Sequence, residues 1–115
     1  MTEHKNYINV ADDFSDDPFG RYIDDGDFNA TIFRTKHLIP KLNSLEDNEK
    51  LTVDFTGVST GLGSSFVEEA FGGLVREGFS KEFLFEKLVY IFPLKFYEVQ
   101  AKKFIAIESD RLNKV

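Results

Sequence analysis

The sequence contains no cysteine and no tryptophan, and it has only two histidines and three prolines. Without cysteine, disulfide bonds and thiolate-ligated metal sites are excluded. The longest apolar region, LVYIFPLKFY, is broken by Pro93 and Lys95 and is too short to span a bilayer. The first residues also lack the apolar stretch of a signal peptide. We therefore expect a cytoplasmic protein that does not enter a membrane.

The chain has enough apolar residues for one hydrophobic core. It has 115 residues, of which 42% are hydrophobic, and thirteen of them are phenylalanine. A chain of this length buries about two thirds of its unfolded surface, so it needs no metal or disulfide support. We expect a single domain over residues 1–115, with its core between about residue 7 and residue 112.

Negative charge is concentrated in the first thirty residues. Residues 1–30 carry two basic and eight acidic side chains, a sum of −6, whereas the other 85 residues carry twelve of each sign and are neutral. Because an acidic protein repels phosphate backbones at long range, we expect no nucleic-acid binding. The acidic segment is interpreted either as a solvated face, which charge runs usually are, or as a docking surface for a basic partner.

The periodicity of apolar residues predicts an α/β order of elements. Strands are predicted at residues 7–10, 21–23, 51–55 and 88–92, and helices at 29–42, 65–77 and 95–112. Such an order favours parallel neighbouring strands joined by helices. The expected fold is a small α/β domain with a mixed sheet of about four strands and three or more helices.

Several residues are predicted to begin, end or orient the helices. Asn29 is the expected N-cap of the first helix, Pro40 is expected to kink or shorten that helix, and Gly78 is the expected stop of the second. Residues 79–87 fit neither period. For the last helix, the residues predicted to face the core are Phe96, Val99, Lys103/Phe104, Ile107 and Arg111.

The stretch DFTGVSTGLGSSFVEEAFGGLVREG, residues 54–78, has the strand, glycine loop and helix order of phosphate-binding loops. Backbone amides near a helix N-terminus attract anions. However, the Walker pattern requires a lysine before its last hydroxyl residue, and the dinucleotide pattern GxGxxG fails because Phe66 occupies the place of its third glycine. A small-anion or nucleotide site on the loop Gly57–Ser65 is kept as the alternative function.

The same stretch also has a purely structural interpretation. Ser65 and Glu68 have the spacing of a capping box, in which each side chain satisfies a backbone amide of the other. Gly72 and Gly73 each cost about 1 kcal/mol in a helix, which indicates a close backbone approach. That approach is either to another element of the domain, the commoner case, or to a partner.

Catalytic motifs are missing from the sequence. Neither histidine has a companion ligand, the serines lack a GxSxG elbow, and the adjacent carboxylates Glu68 and Glu69 point in different directions on a helix. We therefore expect a protein that is not an enzyme, with no catalytic residues, no metal and no cofactor.

Three segments resemble the STAS-like domains of bacteria, which are relatives of anti-sigma-factor antagonists. They are VDFTGV, SSFVEEAFGGL and the upstream DGDFNATIFR, and the resemblance extends from about Phe19 to Phe92. The resemblance implies a small α/β fold whose sheet is covered mainly on one side by helices. It also implies a regulatory function through protein–protein contact, with an ATPase-type kinase or an anti-sigma-like factor as the partner.

In the antagonists, a partner kinase phosphorylates the first serine of an Asp-Ser-Ser-Gly motif at the start of a helix. Alignment on DFTGV places Leu62 at the motif's aspartate, Gly63 at its acceptor and Ser64 at its second serine, while Ser65 replaces its glycine. This chain therefore has a glycine, Gly63, where the motif has the serine that is phosphorylated. A shift of one residue would make Ser64 the acceptor, and Ser64 is the candidate phosphorylation site.

The expected binding surface has two parts, and the acidic N-terminal loops are a further candidate. The binding loop consists of Ser59, Thr60, Gly61, Gly63, Ser64 and Ser65. The partner surface on the following helix consists of Glu68, Glu69, Gly72, Gly73 and Arg76.

Overall fold

The computed structural model describes residues 6–59 and 62–113. Its three strands are β1 (Tyr7–Asn9), β2 (Leu51–Asp54) and β3 (Leu88–Ile91). The short helices are α1 (Val10–Asp13) and α4 (Lys81–Lys87), and the last helix is α5 (Lys95–Asn113).

Two helices contain a wide turn in their middle. Helix α2, residues 30–43, joins Ala30–Phe33, the wide turn Arg34–Leu38 and Ile39–Asn43. Helix α3, residues 64–76, joins Ser64–Val67, the wide turn Glu68–Gly72 and Gly73–Arg76. In both wide turns a backbone N–H donates to the carbonyl five residues back, a pattern that is frequent at functional sites.

The sheet has the order β1-β2-β3, and both pairs of strands are parallel. Ile8, Val53 and Tyr90 lie side by side in register and are buried, whereas Val89 on the opposite face is 39% exposed. One face of the sheet therefore carries the core. The prediction of a mixed sheet with about four strands is wrong for the described residues, which form three parallel strands.

The predicted strand at residues 21–23 is a turn. The Asp25 carboxylate accepts the backbone N–H of Arg21 at 2.9 Å and that of Tyr22 at 3.2 Å. These local bonds close a short 3₁₀ turn, Ile23–Asp25. The side chain of Ile23 is 71% exposed, so no core contact draws this segment into the sheet.

The predicted limits of helix α2 are close to those observed. The Asn29 side chain accepts the Ile32 N–H at 3.0 Å, which confirms the predicted N-cap. Pro40 does not shorten the helix, which continues to Asn43. The wide turn ends at Leu38, two residues before Pro40, a residue without a backbone donor.

Helix α3 ends at Gly78 as predicted. Gly78 has φ of +109°, its N–H donates to the Val75 carbonyl, and the Phe79 N–H donates to the Leu74 carbonyl. These two bonds define a Schellman motif. The unassigned segment that follows forms α4, because the Ser80 side chain caps it by accepting the Phe83 N–H.

Helix α5 turns a different face to the core from the one predicted. Its buried residues are Ala101, Ile105 and Glu108, whereas most of the predicted inner residues are exposed. Helix α5 passes close to α3, where a Cβ on Gly72 would lie 3.6 Å from the Phe104 carbonyl oxygen.

The open face of the sheet holds one buried carboxylate. Asp54, at the end of β2, accepts a hydrogen bond from the Tyr7 hydroxyl on β1 and another from the Thr56 N–H. Burial acts to raise the pKa of Asp54, but the hydrogen bonds from Tyr7 and Thr56 outweigh it and hold that pKa below its usual range. Folding therefore favours the charged carboxylate.

Replacing Tyr7 with phenylalanine is expected to lower the free energy of unfolding by about 1–2 kcal/mol at pH 7, because a hydrogen bond to a charged group is lost. The folded-state pKa of Asp54 is depressed. Its contribution is therefore complete above the unfolded pKa of about 4 and is lost as the pH falls through the folded pKa. Urea unfolding of both proteins between pH 7 and pH 3 checks this.

The difference between wild type and Tyr7→Phe should shrink as the pH falls. Tyr22→Phe is the matched control, because Tyr22 is 55% exposed and lies outside the sheet. A difference that stays constant across the pH range would contradict the coupling between Tyr7 and Asp54.

Candidate functional site

The start of helix α3 lies at the protein surface. Gly63 is the N-cap with an extended backbone, and no side chain caps the helix. Ser64 and Ser65 are its first two residues, and both are exposed. The predicted capping box between Ser65 and Glu68 is therefore wrong, because the Glu68 carboxylate is bound elsewhere.

Glu68 lies between two guanidinium groups. Its carboxylate pairs with Arg21 from the acidic segment and with Arg76 about two turns further along α3, the latter at 3.0 Å. Burial acts to raise the pKa of Glu68, but hydrogen bonds from Arg76 and Arg21 outweigh it and lower that pKa. Because Arg21 and Arg76 hold the Glu68 carboxylate, it does not accept a capping hydrogen bond at the start of α3.

Glu69 is buried in the same charge network. Its carboxylate lies 3.0 Å from Arg34, 3.2 Å from Arg76 and 3.3 Å from Arg21. Both Glu69 and Arg34 are less than a tenth exposed. Arg76 also reaches Glu108 on α5 at 3.3 Å, so the network joins α2, α3 and α5.

Gly73 of α3 is needed for internal packing, as the commoner interpretation expects, whereas Gly72 lies beside the Glu68 side chain. A Cβ on Gly73 would overlap the Arg34 guanidinium, and a Cβ on Gly72 would lie 3.0 Å from the Glu68 carboxylate. Glu69, Gly72 and Gly73 are buried, so they do not offer a surface to a partner in this conformation. Of the predicted partner surface, Glu68 and Arg76 keep partly exposed side chains.

Residues 19–29 of the acidic segment form a loop that backbone hydrogen bonds close, and we call it the closed loop; it lies next to the start of α3. Backbone bonds join the Phe19 N–H to the Phe28 carbonyl and the Ala30 N–H to the Gly20 carbonyl, both at 2.9 Å. The loop exposes four large apolar side chains, which are Phe19 (67%), Tyr22 (55%), Ile23 (71%) and Phe28 (48%). The negative charge of this segment indicates a docking surface as the alternative to a solvated face, but none of these apolar residues is among the predicted binding residues, although their place within an acidic run is a visible signal.

A groove of about 310 Å³ separates the closed loop from the start of α3. We call it the α3 groove, and its lining residues are Phe19, Gly20, Arg21, Asp25, Gly63, Ser65 and Phe66. Ser65 faces this groove together with Arg21, whose guanidinium is held by Glu68. The groove therefore combines an aromatic side chain, a paired cation and the exposed helix start.

The glycine loop itself is described only in part. Ser59 is exposed, and its N–H donates to the Asp16 carbonyl at 2.7 Å, whereas Thr60 and Gly61 lie outside the described residues. A cavity of about 20 Å³ lies beside this loop, lined mainly by aromatic and aliphatic side chains such as Phe55, Phe92 and Tyr97. That volume is close to the size of one water molecule.

Neither metal-site geometry nor a membrane-spanning helix is present in the part of the chain that is described. Within residues 6–59 and 62–113, no group of three or more histidine or acidic side chains could hold a metal ion. Over the same residues, no helix combines the length and the apolar character that crossing a bilayer requires.

The fold and the exposed start of α3 define a class of protein, namely a small α/β domain with helices packed on one face of a short parallel sheet. Residues 29–91, more than half of the chain, match the family described as the STAS-like domain of unknown function (DUF4325). The chain belongs to that family, which confirms the resemblance. Comparisons with curated proteins and with solved structures give no significant match.

Proposed function

We propose that this STAS-like domain is a regulatory module that acts by binding another protein and not by catalysis. The observation that supports the proposal is the exposure of Phe19, Tyr22 and Ile23 on the closed loop, where Phe19 also lines the α3 groove. Exposed clusters of large apolar residues commonly form protein-interaction sites. The interaction surface consists of the closed loop, the α3 groove and the exposed serines of α3.

The charge of this surface indicates the chemistry of the partner. Asp24, Asp25 and Asp27 are exposed on the closed loop. Its one basic residue, Arg21, is already paired with Glu68 and Glu69. A partner that offers apolar side chains surrounded by basic residues is therefore complementary, since opposite charges speed encounter and fix orientation.

The resemblance to anti-sigma-factor antagonists suggests an ATPase-type kinase or an anti-sigma-like factor as that partner. Phosphorylation of Ser64 would add a charge of about −1.5 to −2 at the start of α3, which the helix dipole favours. Glu68 lies one turn away, but Arg21 and Arg76 neutralise it. Phosphorylation of Ser64 is therefore compatible with the folded domain. Its added negative charge changes the surface that the partner contacts.

The interaction surface is tested by a pair of phenylalanine substitutions. Affinity purification from the native cell, with quantitative mass spectrometry, should recover a partner with wild-type protein and lose it with Phe19→Ser. Phe85→Ser is the matched control, because Phe85 is exposed on α4 and does not line the groove. Equal loss with both variants, or with neither, would exclude the α3 groove as the binding surface.

The switch is tested separately with the purified kinase. Incubation with ATP should raise the intact mass by one phosphate, and Ser64→Ala should abolish the increase while the neighbouring Ser65→Ala retains it. Loss of the increase with Ser65→Ala instead would move the acceptor to the serine that faces the α3 groove. If neither serine is phosphorylated, the proposed phosphorylation switch is excluded, but the proposed interaction surface is not.

A further inference from the structure

The closed loop is attached to the start of α2 by backbone hydrogen bonds. The Gly20 carbonyl accepts the Ala30 N–H at 2.9 Å. The Arg21 carbonyl accepts two hydrogen bonds from Thr31, one from its N–H at 3.0 Å and one from its hydroxyl at 2.6 Å. The backbone of Arg21 is therefore fixed relative to α2, and its side chain extends from a defined position.

The attachment of the closed loop to α3 is different, because it uses a single side chain. The Arg21 guanidinium extends to α3, where it pairs with Glu68 and lies 3.3 Å from the Glu69 carboxylate. Among residues 6–59 and 62–113, no other hydrogen bond or ion pair joins the closed loop to α3. The position of the loop relative to α3 therefore depends on the ion pairs of Arg21.

The two carboxylates that hold Arg21 also have other cations beside them. Glu68 lies 3.0 Å from Arg76, and Glu69 lies 3.2 Å from Arg76. Glu69 also lies 3.0 Å from Arg34. Removal of a partner from a buried ion pair is costly when it leaves a charge uncompensated, and loss of Arg21 leaves neither carboxylate without a cation. The ion pairs of Arg21 therefore fix the loop without being essential for the buried network.

We propose that Arg21 is a positioning residue, which holds the closed loop against α3 and thereby keeps Phe19, Tyr22 and Ile23 in one arrangement. This role rests on the proposed function, since these three apolar side chains belong to the interaction surface. A surface that is ordered before binding loses less conformational entropy when a partner binds. Arg21 acts through the apolar side chains and needs no contact with the partner.

Backbone NMR relaxation of the purified protein tests this role without a partner. In wild type, the order parameters of the closed loop should be close to about 0.85, the value of rigid backbone, and Arg21→Met should lower them below about 0.6. Methionine keeps an apolar stem and removes the charge. Arg111→Met is the matched control, because Arg111 pairs with Glu108 in the same network but lies on α5. It should leave the order parameters of the closed loop unchanged.

Added salt gives a second test that needs no substitution. The Arg21 side chain is 34% exposed, so a rise in ionic strength from about 0.05 M to about 1 M should screen its ion pairs. The order parameters of the wild-type closed loop should then fall towards those of Arg21→Met, whereas those of the variant should not change. Arg21→Lys should restore part of the order at low salt, because its ammonium keeps the positive charge but not the two-carboxylate geometry.

The results separate this role from the proposed function. Equal order of the closed loop in wild type and Arg21→Met would overturn the role of Arg21, as would a variant that unfolds as a whole instead of loosening its loop. A partner that Phe19→Ser loses and Arg21→Met retains in full would also overturn it, while supporting the interaction surface. A loop that loosens in Arg21→Met, when wild type recovers no partner, would confirm the positioning of the loop and contradict the proposed function.

Discussion

Replacing Arg34 with methionine is expected to lower the free energy of unfolding by about 3 kcal/mol, because it removes one partner from a buried ion pair. Arg34 is 7% exposed and donates to both the carboxylate and the backbone carbonyl of Glu69. Arg21 and Arg76 remain beside Glu69 and compensate part of its charge. Urea denaturation at pH 7 measures the loss.

The wide turn of α3 makes Arg34 harder to replace. In a regular α-helix the Glu69 carbonyl would accept the Gly73 N–H, but that N–H donates to Glu68. The Glu69 carbonyl instead accepts from Arg34. Without Arg34 the turn loses a buried hydrogen bond as well as an ion pair, so the variant should also exchange its α3 amides faster.

Two further variants test whether the effect of Arg34→Met comes from the lost pair with Glu69 or from the smaller volume of the side chain. Gly73→Ala should destabilise the protein although alanine favours helices, because its Cβ would displace the Arg34 guanidinium. Gly72→Ala is the matched control and should be nearly neutral, since only the Glu68 side chain must shift. Equal effects of the two alanines, or a change below about 0.5 kcal/mol for Arg34→Met, would contradict the role of the buried pair.

Replacing Phe33 with alanine is expected to cost about 3–5 kcal/mol, because it leaves a cavity at the centre of the core. The Phe33 side chain is fully buried, and its ring centroid lies 5.1 Å from that of Phe14, 5.8 Å from that of Phe66 and 6.2 Å from that of Phe55. One ring therefore connects α2 to α3 and to the end of β2. Thermal and urea unfolding both measure the effect.

The control for Phe33→Ala is Phe85→Ala on α4, where the ring is 44% exposed. The same chemical change there should cost less than about 1 kcal/mol. Costs of similar size at the two positions would mean that the aromatic cluster around Phe33 does not act as the centre of the core.

Local hydrogen bonding explains which helix limits could be predicted. Asn29 caps α2 and Gly78 ends α3 through bonds to residues within five positions. Such bonds depend on a few neighbouring side chains, so residue type and order are sufficient to predict them. The Ser80 cap of α4 followed the same rule, but the phenylalanines after it obscured the helical period.

Long-range contacts explain what could not be predicted. Glu68 had the spacing of a capping box, but Arg21, 47 residues away in sequence, pairs with it in the folded protein. Residues 21–23 alternated like a strand, but the Asp25 carboxylate satisfied their amides locally. In both cases a side chain outside the pattern provided a competing partner.

The three strands of the sheet, the three longest helices, the STAS-like family and the loop that leads into α3 follow from the sequence alone, because they depend on local periodicity and motifs. The burial of Glu69, the exposure of the apolar side chains on the closed loop and the side of α5 that faces the core depend instead on tertiary contacts. A helical pattern shows where apolar residues lie around an axis. It does not show which side another element will cover, because that depends on residues that are distant in sequence. Here α5 passes α3 at Gly72, where an added Cβ would lie 3.6 Å from the Phe104 carbonyl oxygen.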